Sequence, residues 1–466
     1  MAASTRRFEI DDQRWFAAAS GDHNPIHVDP QWAATHFPGA LVVHGMHVLL
    51  WALDELASKR PGMPFAAIDA TFVKPIVVGD EVVASPSDDG KLIRVTVRRE
   101  IAMVARIELG EIAVADASRF QVGSVLAAPR ARAAAEFPGL AGTVGLPGTA
   151  ASLPPRFGAL ASALGIDRLI GLTAISTLVG MEIPGLRSML SKVTVEIVAP
   201  SETGELAFRG RKFHDAMSLV EIDVRGMGLE GTVSAFAGRD PPAPAANETL
   251  RKMVAPTEFS GQRPLVVGAA SGLGAATARL LAAGGADPVL TWHASNLDET
   301  LRGVRELGAS GRAVKLDATS PSSALAELAA SGWDGGQLYY FAAPRIFRRR
   351  IELYQAGDFR DFAAVFVDGF YDIVRQLLAA TRGKLTVFYP STVAIDEAAS
   401  DLLEYSCAKA MGEQLCVRME KNNPRLKIIV ARLPRITTRQ TETFLKVKAE
   451  APETVMLPLV RAVQSA

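Results

Sequence analysis

Apolar positions along the chain fall into three successive patterns. The first begins with "VHGMHVLLWALDELASKR", residues 43–60, which is apolar nearly all round. That pattern predicts a helix buried inside a fold rather than lying on one. "PGMPF" ends it. "AAIDATFVKPIVVGDEVVASP" and "KLIRVTVRREIAMVARIELGEIAVAD" then alternate or run β-branched, with "DDG" between them as a turn. A long buried helix followed by antiparallel strands predicts a sheet wrapped around that helix, after a loop-rich lead-in. The second pattern repeats this order: "LASALGIDRLIGLTAISTLVGM" reads as a helix and "IPGLRSMLSKVTVEIVAPSETGELAFRGR" as strands. Aligning Phe72-Val73-Lys74-Pro75 with Ile197-Val198-Ala199-Pro200 sets the offset at 125 residues. That is too long for a solenoid period and predicts a duplicated domain whose copies pack together. The third pattern alternates strands with helices. "RPLVVGAA", "DPVLTWHAS", "SGRAVKLDATS", "GGQLYYFAAP", "GKLTVFYPST" and "RLKIIVARLP" are its short apolar strands, and such alternation predicts a parallel, doubly wound sheet.

Two stretches rich in Ala, Gly and Pro, Ala127–Pro155 and Gly238–Pro264, read as linkers between the patterns. A length of 466 residues calls for two or three domains. With 48% apolar and 21% charged residues the composition is globular. Lys plus Arg equals Asp plus Glu at 50 each, so no global field favours nucleic acid or an anionic membrane. Cys407 and Cys416 are the two cysteines, which fits a reducing cytosol rather than a disulfide framework. The opening "MAASTRRFEIDDQRW" lacks the apolar region of a secretory signal, and no run of 18 apolar residues predicts a membrane span. The expected location is the cytoplasm.

The stretch "SGDHNPIHVD", Ser20–Asp29, breaks the first pattern. It is too polar for a core strand or a regular helix, and the apolar "GALVVHGMHVLLWAL" follows closely. It is either a surface loop or an acid/base pair at the mouth of an apolar cleft. The second repeat has no counterpart of it, which weakens a purely structural reading. The longer string "SGDHNPIHVDPQWAATHFPGALVVHGM" closely resembles the MaoC-like hydratase/dehydratase family of hotdog folds, over roughly the first 120 residues. The resemblance implies that Asp22 and His27 are the catalytic pair. It implies that Gly45, in the turn opening the hotdog helix, offers a backbone N–H to a thioester oxygen. It also implies that the second copy is the degenerate half of a double hotdog. Those residue types suit the chemistry. Moving water on or off a 2-enoyl thioester needs one group for the proton at C2 and one for the hydroxyl at C3. The enolate that develops needs a preorganised donor, which a helix N-terminus supplies. Pro25 stiffens the segment and Asn24 can bond backbone locally. His44 reads as a structural partner near the turn, and His23, His36 and His47 as surface or supporting residues. No HxxxH or CxxC spacing accompanies a third ligand, so no metal site is read.

In the third pattern "VVGAASGLGAATARLL" places Gly268, Gly272 and Gly274 as GxxxGxG, with Ser271 and Leu273 in the same turn. From about Pro264 onward the chain resembles short-chain dehydrogenases/reductases. Glycines there let the backbone approach a pyrophosphate at a helix N-terminus. The second strand ends "LTWHAS", with His293 where an NAD site usually has an acid, so NADPH is the expected cofactor. Asp317 matches the acid that contacts the adenine edge. Tyr405 and Lys409, spaced YxxxK, share a helix face. The lysine's charge is expected to lower the tyrosine's pKa, and either Ser391 or Thr392 to polarise a carbonyl. The sequence departs from the family at "YFAAP", Tyr340–Pro344, at Phe366 in place of a relay Asn, and at Pro434-Arg435 in place of Pro-Gly.

The whole reads as an α+β double hotdog, residues 1–126 and 150–240, followed by an α/β Rossmann domain, 262–466. The expected activity reduces a 3-oxoacyl thioester with NADPH. It then dehydrates the (R)-3-hydroxyacyl thioester to the trans-2-enoyl thioester. The carrier is coenzyme A or an acyl carrier protein, which the basic run "RIFRRR", Arg345–Arg350, could meet. No nucleic acid or membrane partner is expected, and a homodimer is left open. Two alternatives stand beside this: a catabolic enzyme running the same steps backwards, and a dehydratase whose reductase-like part is only a binding module.

Overall fold

The first elements of the computed structural model lie where the sequence reads as a loop-rich lead-in. Ser4–Arg7 is strand β1 and Ile10–Ser20 is helix α1. Asp12 Oδ2 accepts the main-chain N–H of Glu9 at 2.9 Å, an N-terminal box, and Gly21 closes the helix at φ 81°. The structure describes all residues except 37, 111–121, 200–203, 239–242, 345, 347–353, 398–401 and 437–448. The arginines of the run Arg345–Arg350 and the end of the second strand run, 111–116, therefore lie outside the described residues.

The chain divides into two units, Met1–Asp240 and Pro241–Glu442 with Lys448–Ala466. The first holds a ten-stranded sheet. Its strands are β1, β2 (Phe65–Phe72), β3 (Glu81–Pro86), β4 (Leu92–Val97), β5 (Glu100–Leu109), β6 (Ala141–Val144), β7 (Ser188–Ile197), β8 (Leu206–His214), β9 (Leu219–Gly226) and β10 (Leu229–Ala237). The order is β1-β3-β4-β5-β2-β7-β10-β9-β8-β6, symmetric about its centre once β1 to β5 are matched in turn with β6 to β10. At its centre β2 and β7 run antiparallel, and Asp69 stands opposite Thr194. These two residues are 125 apart, so each repeat meets its own copy across a local two-fold axis at the offset seen in the sequence. Both long apolar helices, Gly45–Lys59 and Ile166–Thr177, lie in the single hydrophobic core of this unit.

Two expectations change here. The run "KLIRVTVRREIAMV" is split by a two-residue hairpin at Arg98-Arg99, both in the left-handed region at φ 50° and 69°. No Gly or Asn announces it, so the pattern gave no turn signal. The stretch Ala127–Pro155 is not a linker: it contains β6, paired with β8, and buries Phe137, Leu146 and Leu153. The second repeat therefore begins before residue 150.

The second unit holds a six-stranded, wholly parallel sheet. Its strands are β11 (Leu265–Val267), β12 (Val289–Trp292), β13 (Ala313–Lys315), β14 (Gln337–Tyr340), β15 (Leu385–Thr392) and β16 (Leu426–Leu433), in the order β13-β12-β11-β14-β15-β16. All six lie where the sequence placed strands. Gly238–Pro264 is again more than a linker: helix Asn247–Met253 and Phe259 send Leu250, Val254 and Phe259 into the core beside β11 and β12.

Candidate active sites

The polar stretch Ser20–Asp29 runs from the end of α1 through one short helix to the cap of the next, with irregular backbone at residues 21–24. Asn24 caps α2 (Pro25–Val28), its Oδ1 accepting the N–H of Ile26 at 3.3 Å. Asp29 caps α3 (Pro30–Thr35), accepting from the N–H groups of Gln31 and Trp32 at 2.9 and 3.0 Å. A proline follows each cap, in the position where a missing N–H costs nothing.

That fold turns Asp22 inward, 2% exposed. Its Oδ2 accepts from Ser176 Oγ at 2.7 Å and its Oδ1 from the N–H of Asn24 at 3.2 Å. Asn24 Nδ2 donates to the carbonyls of Gly180 and Gly185 at 2.9 and 3.1 Å. The second repeat thus supplies the seat of the first repeat's carboxyl. There, helix Ile166–Thr177 passes into one π-turn, Leu178–Glu182. A Cβ on Gly180 would stand 2.1 Å from Asp22 Oδ1, so only glycine admits the carboxyl. His27 Nδ1 lies 2.7 Å from the carbonyl of Val42. A carbonyl only accepts, so Nδ1 carries the hydrogen and Nε2 the lone pair. Burial pushes the Asp22 carboxyl up, against the opposing pull of His27, and pushes His27 down, against Asp22. Burial thus biases both groups toward their uncharged forms, an acid with a raised proton affinity beside a base with a lowered one.

The pair lines a largely apolar cavity of about 100 Å³ with Gly45, Phe72, Ser176 and Leu190. Gly45 opens α4 (Gly45–Lys59), in the first turn, where N–H groups have no acceptor within the helix. A Cβ there would meet Phe72 at 3.1 Å. Asp22, His27 and His44 bring ligand-type atoms within 4.8 Å of one another. However, His27 Nδ1 faces Val42, and the nitrogens of His44 face Gln13 and Asp22. That leaves a cation the Asp22 carboxyl and His27 Nε2, too few donors for the usual sites. His23 is exposed, and His36 stacks on Trp32. His47 is a correction: it is fully buried, stacked on Phe16 at 4.7 Å, and neither ring nitrogen has a hydrogen-bond partner. Gln13, Ser176 and Gly180 had no sequence signal, since they sit in ordinary helical runs.

In the second unit, Ser271, Gly272, Leu273, Gly274, Thr392, Tyr405 and Lys409 line one cavity of about 290 Å³, with Ser391. The glycines are required by backbone approach. A Cβ on Gly268, at φ 81°, would lie 2.8 Å from the carbonyl carbon of Phe341, and one on Gly274 2.2 Å from Gly268 O. Ser271 caps helix Gly272–Ala283, so its N-terminus opens on the cavity. His293 and Asp317 lie outside the cavity lining, with Nδ1 and Oδ1 3.6 Å apart.

The choice between the two hydroxyls is geometric. Ser391 Oγ donates to Glu413, which Arg432 grips at 2.9 and 2.7 Å, while Thr392 Oγ1 accepts the N–H of Ala394 at 3.2 Å and shares the cavity wall with Tyr405. The Tyr405 phenol is raised rather than lowered as expected. Burial pushes the Tyr405 phenol up to about 12, opposed by Thr392. Burial pushes Lys409 down to about 7, opposed by Cys416 and Glu413. Lys409 Nζ donates to Pro390 O at 2.6 Å and sits over the Phe366 ring at 4.0 Å. Phe366 lies in a π-turn, Ala364–Gly369; Tyr340 and Tyr389 donate to the carbonyls of Val365 and Phe366 at 2.6 and 3.1 Å.

Comparison with known proteins follows the same division. The MaoC like domain matches residues 3–108. An (R)-specific enoyl-CoA hydratase from Aeromonas caviae is 33% identical over 108 residues, 23% of this chain and 75% of that protein. A mitochondrial 3-hydroxyacyl-acyl-carrier-protein dehydratase from Arabidopsis thaliana is 32% identical over 78 residues, 17% of this chain and 47% of that one. Among solved structures, a putative short chain dehydrogenase from Pseudomonas syringae aligns with a TM-score of 0.40 at 23% identity, covering 45% of this chain and 92% of that one. A putative short chain dehydrogenase from Shigella flexneri 2a complexed with NADP aligns with a TM-score of 0.40 at 17% identity, covering 45% and 93%.

Proposed function

We propose a function from one premise: this chain belongs to the MaoC-like family through its N-terminal segment, residues 3–108. Its first unit moves water on and off acyl thioesters, dehydrating an (R)-3-hydroxyacyl thioester to the trans-2-enoyl thioester or catalysing the reverse. The observation that carries this is the pair itself, Asp22 and His27, held in opposite protonation tendencies on the wall of an apolar cavity. In dehydration His27 Nε2 takes the proton from C2 while the Asp22 carboxyl gives one to the departing C3 hydroxyl. The first turn of α4 at Gly45 receives the charge on the thioester oxygen. Hydration reverses each transfer. The (R) hand rests on likeness to the Aeromonas caviae enzyme, an (R)-specific enoyl-CoA hydratase. Asp22→Asn and His27→Ala should each lower hydration of a trans-2-enoyl-CoA by about 10²–10⁴-fold with the fold intact. Near-normal turnover by either purified variant removes the assignment.

The symmetric sheet supports a double hotdog for this unit, with the second repeat as its non-catalytic half. The order β13-β12-β11-β14-β15-β16 supports a Rossmann sheet in the second unit. The reading assigns that unit a short-chain dehydrogenase/reductase role, reducing 3-oxoacyl thioesters with NADPH ahead of dehydration in a biosynthetic sequence. The close approaches at Gly268 and Gly274, and the helix N-terminus at Ser271, fit a dinucleotide pyrophosphate. The nicotinamide would supply the hydride. Tyr405, with Thr392 on the same cavity wall, would pass a proton to the carbonyl oxygen, and Lys409 would lie near the ribose. One observation favours the alternative binding module: Lys409 is drawn onto Phe366 and Pro390 O, while burial raises the Tyr405 phenol. NADPH oxidation with 3-oxoacyl thioesters on coenzyme A and on a carrier protein decides between them. Reduction that Tyr405→Phe slows about 10²–10⁴-fold supports the reductase; no oxidation with any substrate leaves the binding module.

A further inference from the structure

His44 touches both members of the acid/base pair. It is fully buried at the N-cap of α4. Its Nε2 lies 3.1 Å from the main-chain oxygen of Asp22 and 4.0 Å from Asp22 Oδ2. Its ring stacks on that of His27, with centroids 3.8 Å apart and planes 24° apart. Its own main-chain N–H donates to Gln13 Oε1 at 3.1 Å, and its Nδ1 rests 3.0 Å from the same oxygen. Gln13, on α1, is itself fully buried, with its Nε2 turned to Glu9 O at 3.4 Å. One imidazole therefore contacts the acid, the base and the turn that carries Gly45, and it is anchored to a separate helix.

The electrostatic sense of this contact follows from the acceptor. The Asp22 carbonyl and Gln13 Oε1 both only accept, and burial favours a neutral ring with a single hydrogen; because Gln13 Oε1 already accepts the main-chain N–H of His44, that hydrogen is assigned to Nε2, toward Asp22. That N–H dipole also turns its positive end toward the carboxyl at 4.0 Å. The titratable groups facing Asp22 are His27, His23 and His44, while α1 contributes Gln13 and the second repeat Ser176 and Gly180. His44 in turn is faced by His27, His47 and His23. Burial drives Asp22 toward its protonated form; a fixed dipole opposing that drive keeps the carboxylate within reach, as both directions of a water transfer require.

We propose that His44, anchored by Gln13, is the positioning residue of this site: it aligns His27 by stacking and sets the proton affinity of Asp22 by its N–H dipole. The proposal rests on reading the site as a hydratase/dehydratase. It extends His44 beyond a partner of the turn.

The test uses the full chain and two readouts. His44→Phe keeps a ring against His27 and removes both nitrogens; His44→Gln keeps a donor for the carbonyl and loses the stack. The ¹³C signal of the Asp22 carboxyl, followed against pH, should titrate about one unit higher in His44→Phe than in wild type, with His44→Gln between. Hydration of a trans-2-enoyl-CoA should lose roughly ten- to a hundredfold in kcat in His44→Phe, with KM within about twofold. An unmoved Asp22 midpoint in both variants overturns the proposal, even where activity falls, because that loss would then be structural. A shifted midpoint in a protein that hydrates no enoyl thioester upholds the electrostatic role and sinks the functional reading instead.

Discussion

At the scale of single residues, burial sets the charge states that matter. The four groups at the two sites are pushed away from their charged forms: Asp22 and Tyr405 upward, His27 and Lys409 downward. His47 shows the same effect without a catalytic use. Burial holds it well below the ordinary histidine value, aided by Arg6 and Arg156. The unfolded chain binds a proton there below about pH 6.5 and the folded chain does not, so stability falls as pH drops through that value. Its share of the slope approaches about 1.4 kcal/mol per pH unit at lower pH. Chemical denaturation of wild type and His47→Leu between pH 7.5 and 5 should show a shallower pH dependence in the variant; equal slopes would remove His47 as the source. The identities of Asp22 and His27 were legible because their spacing is local. Their proton affinities were not, because desolvation sums over neighbours that are distant in sequence.

At the scale of elements, the π-turn Leu178–Glu182 is the piece that makes the first site possible. It widens the end of the second repeat's helix and brings Gly180 against Asp22. Gly180→Ala places a methyl 2.1 Å from Asp22 Oδ1, a carboxyl already held by Ser176 Oγ and the N–H of Asn24. The expected result is a loss of hydration of at least about a hundredfold, because a small misplacement of a reacting group costs that much, with about 1–3 kcal/mol of stability. Gly158→Ala, where an added Cβ meets nothing within 4 Å, is the control and should leave both unchanged to within about 1 kcal/mol. Circular dichroism melts with an enoyl-CoA assay read both; full activity in Gly180→Ala would mean that the carboxyl is seated elsewhere. The apolar run holding Ser176 and Gly180 reads as plain helix, since a π-turn leaves the hydrophobic period almost unchanged. The hairpin at Arg98-Arg99 was hidden for a related reason: β-branched residues on both sides read as one strand.

At the scale of the whole molecule, the two repeats of the first unit cannot be separated without loss. Removing the second would strip β2 of its partner β7, Asp22 of Ser176, and Asn24 of two carbonyl acceptors. A chain of residues 1–126 should therefore show no hydration, whereas residues 1–240 should retain it; an active short chain, measured by the same enoyl-CoA assay, would show that the second repeat is dispensable. The sequence by itself determined the kinds of elements, the 125-residue duplication, the parallel strands of the second unit and the local motifs around Asp22, Gly268 and Tyr405. All of these are written in periods and spacings that short-range sterics and hydrophobicity impose. The tertiary structure alone decided that a serine and a glycine 154 and 158 residues beyond Asp22 would seat its carboxyl. It alone seated His44 on Gln13, turned Ser391 onto Glu413, and drew Lys409 onto an aromatic wall. Those outcomes depend on which surfaces pack, and packing joins residues that no local pattern links.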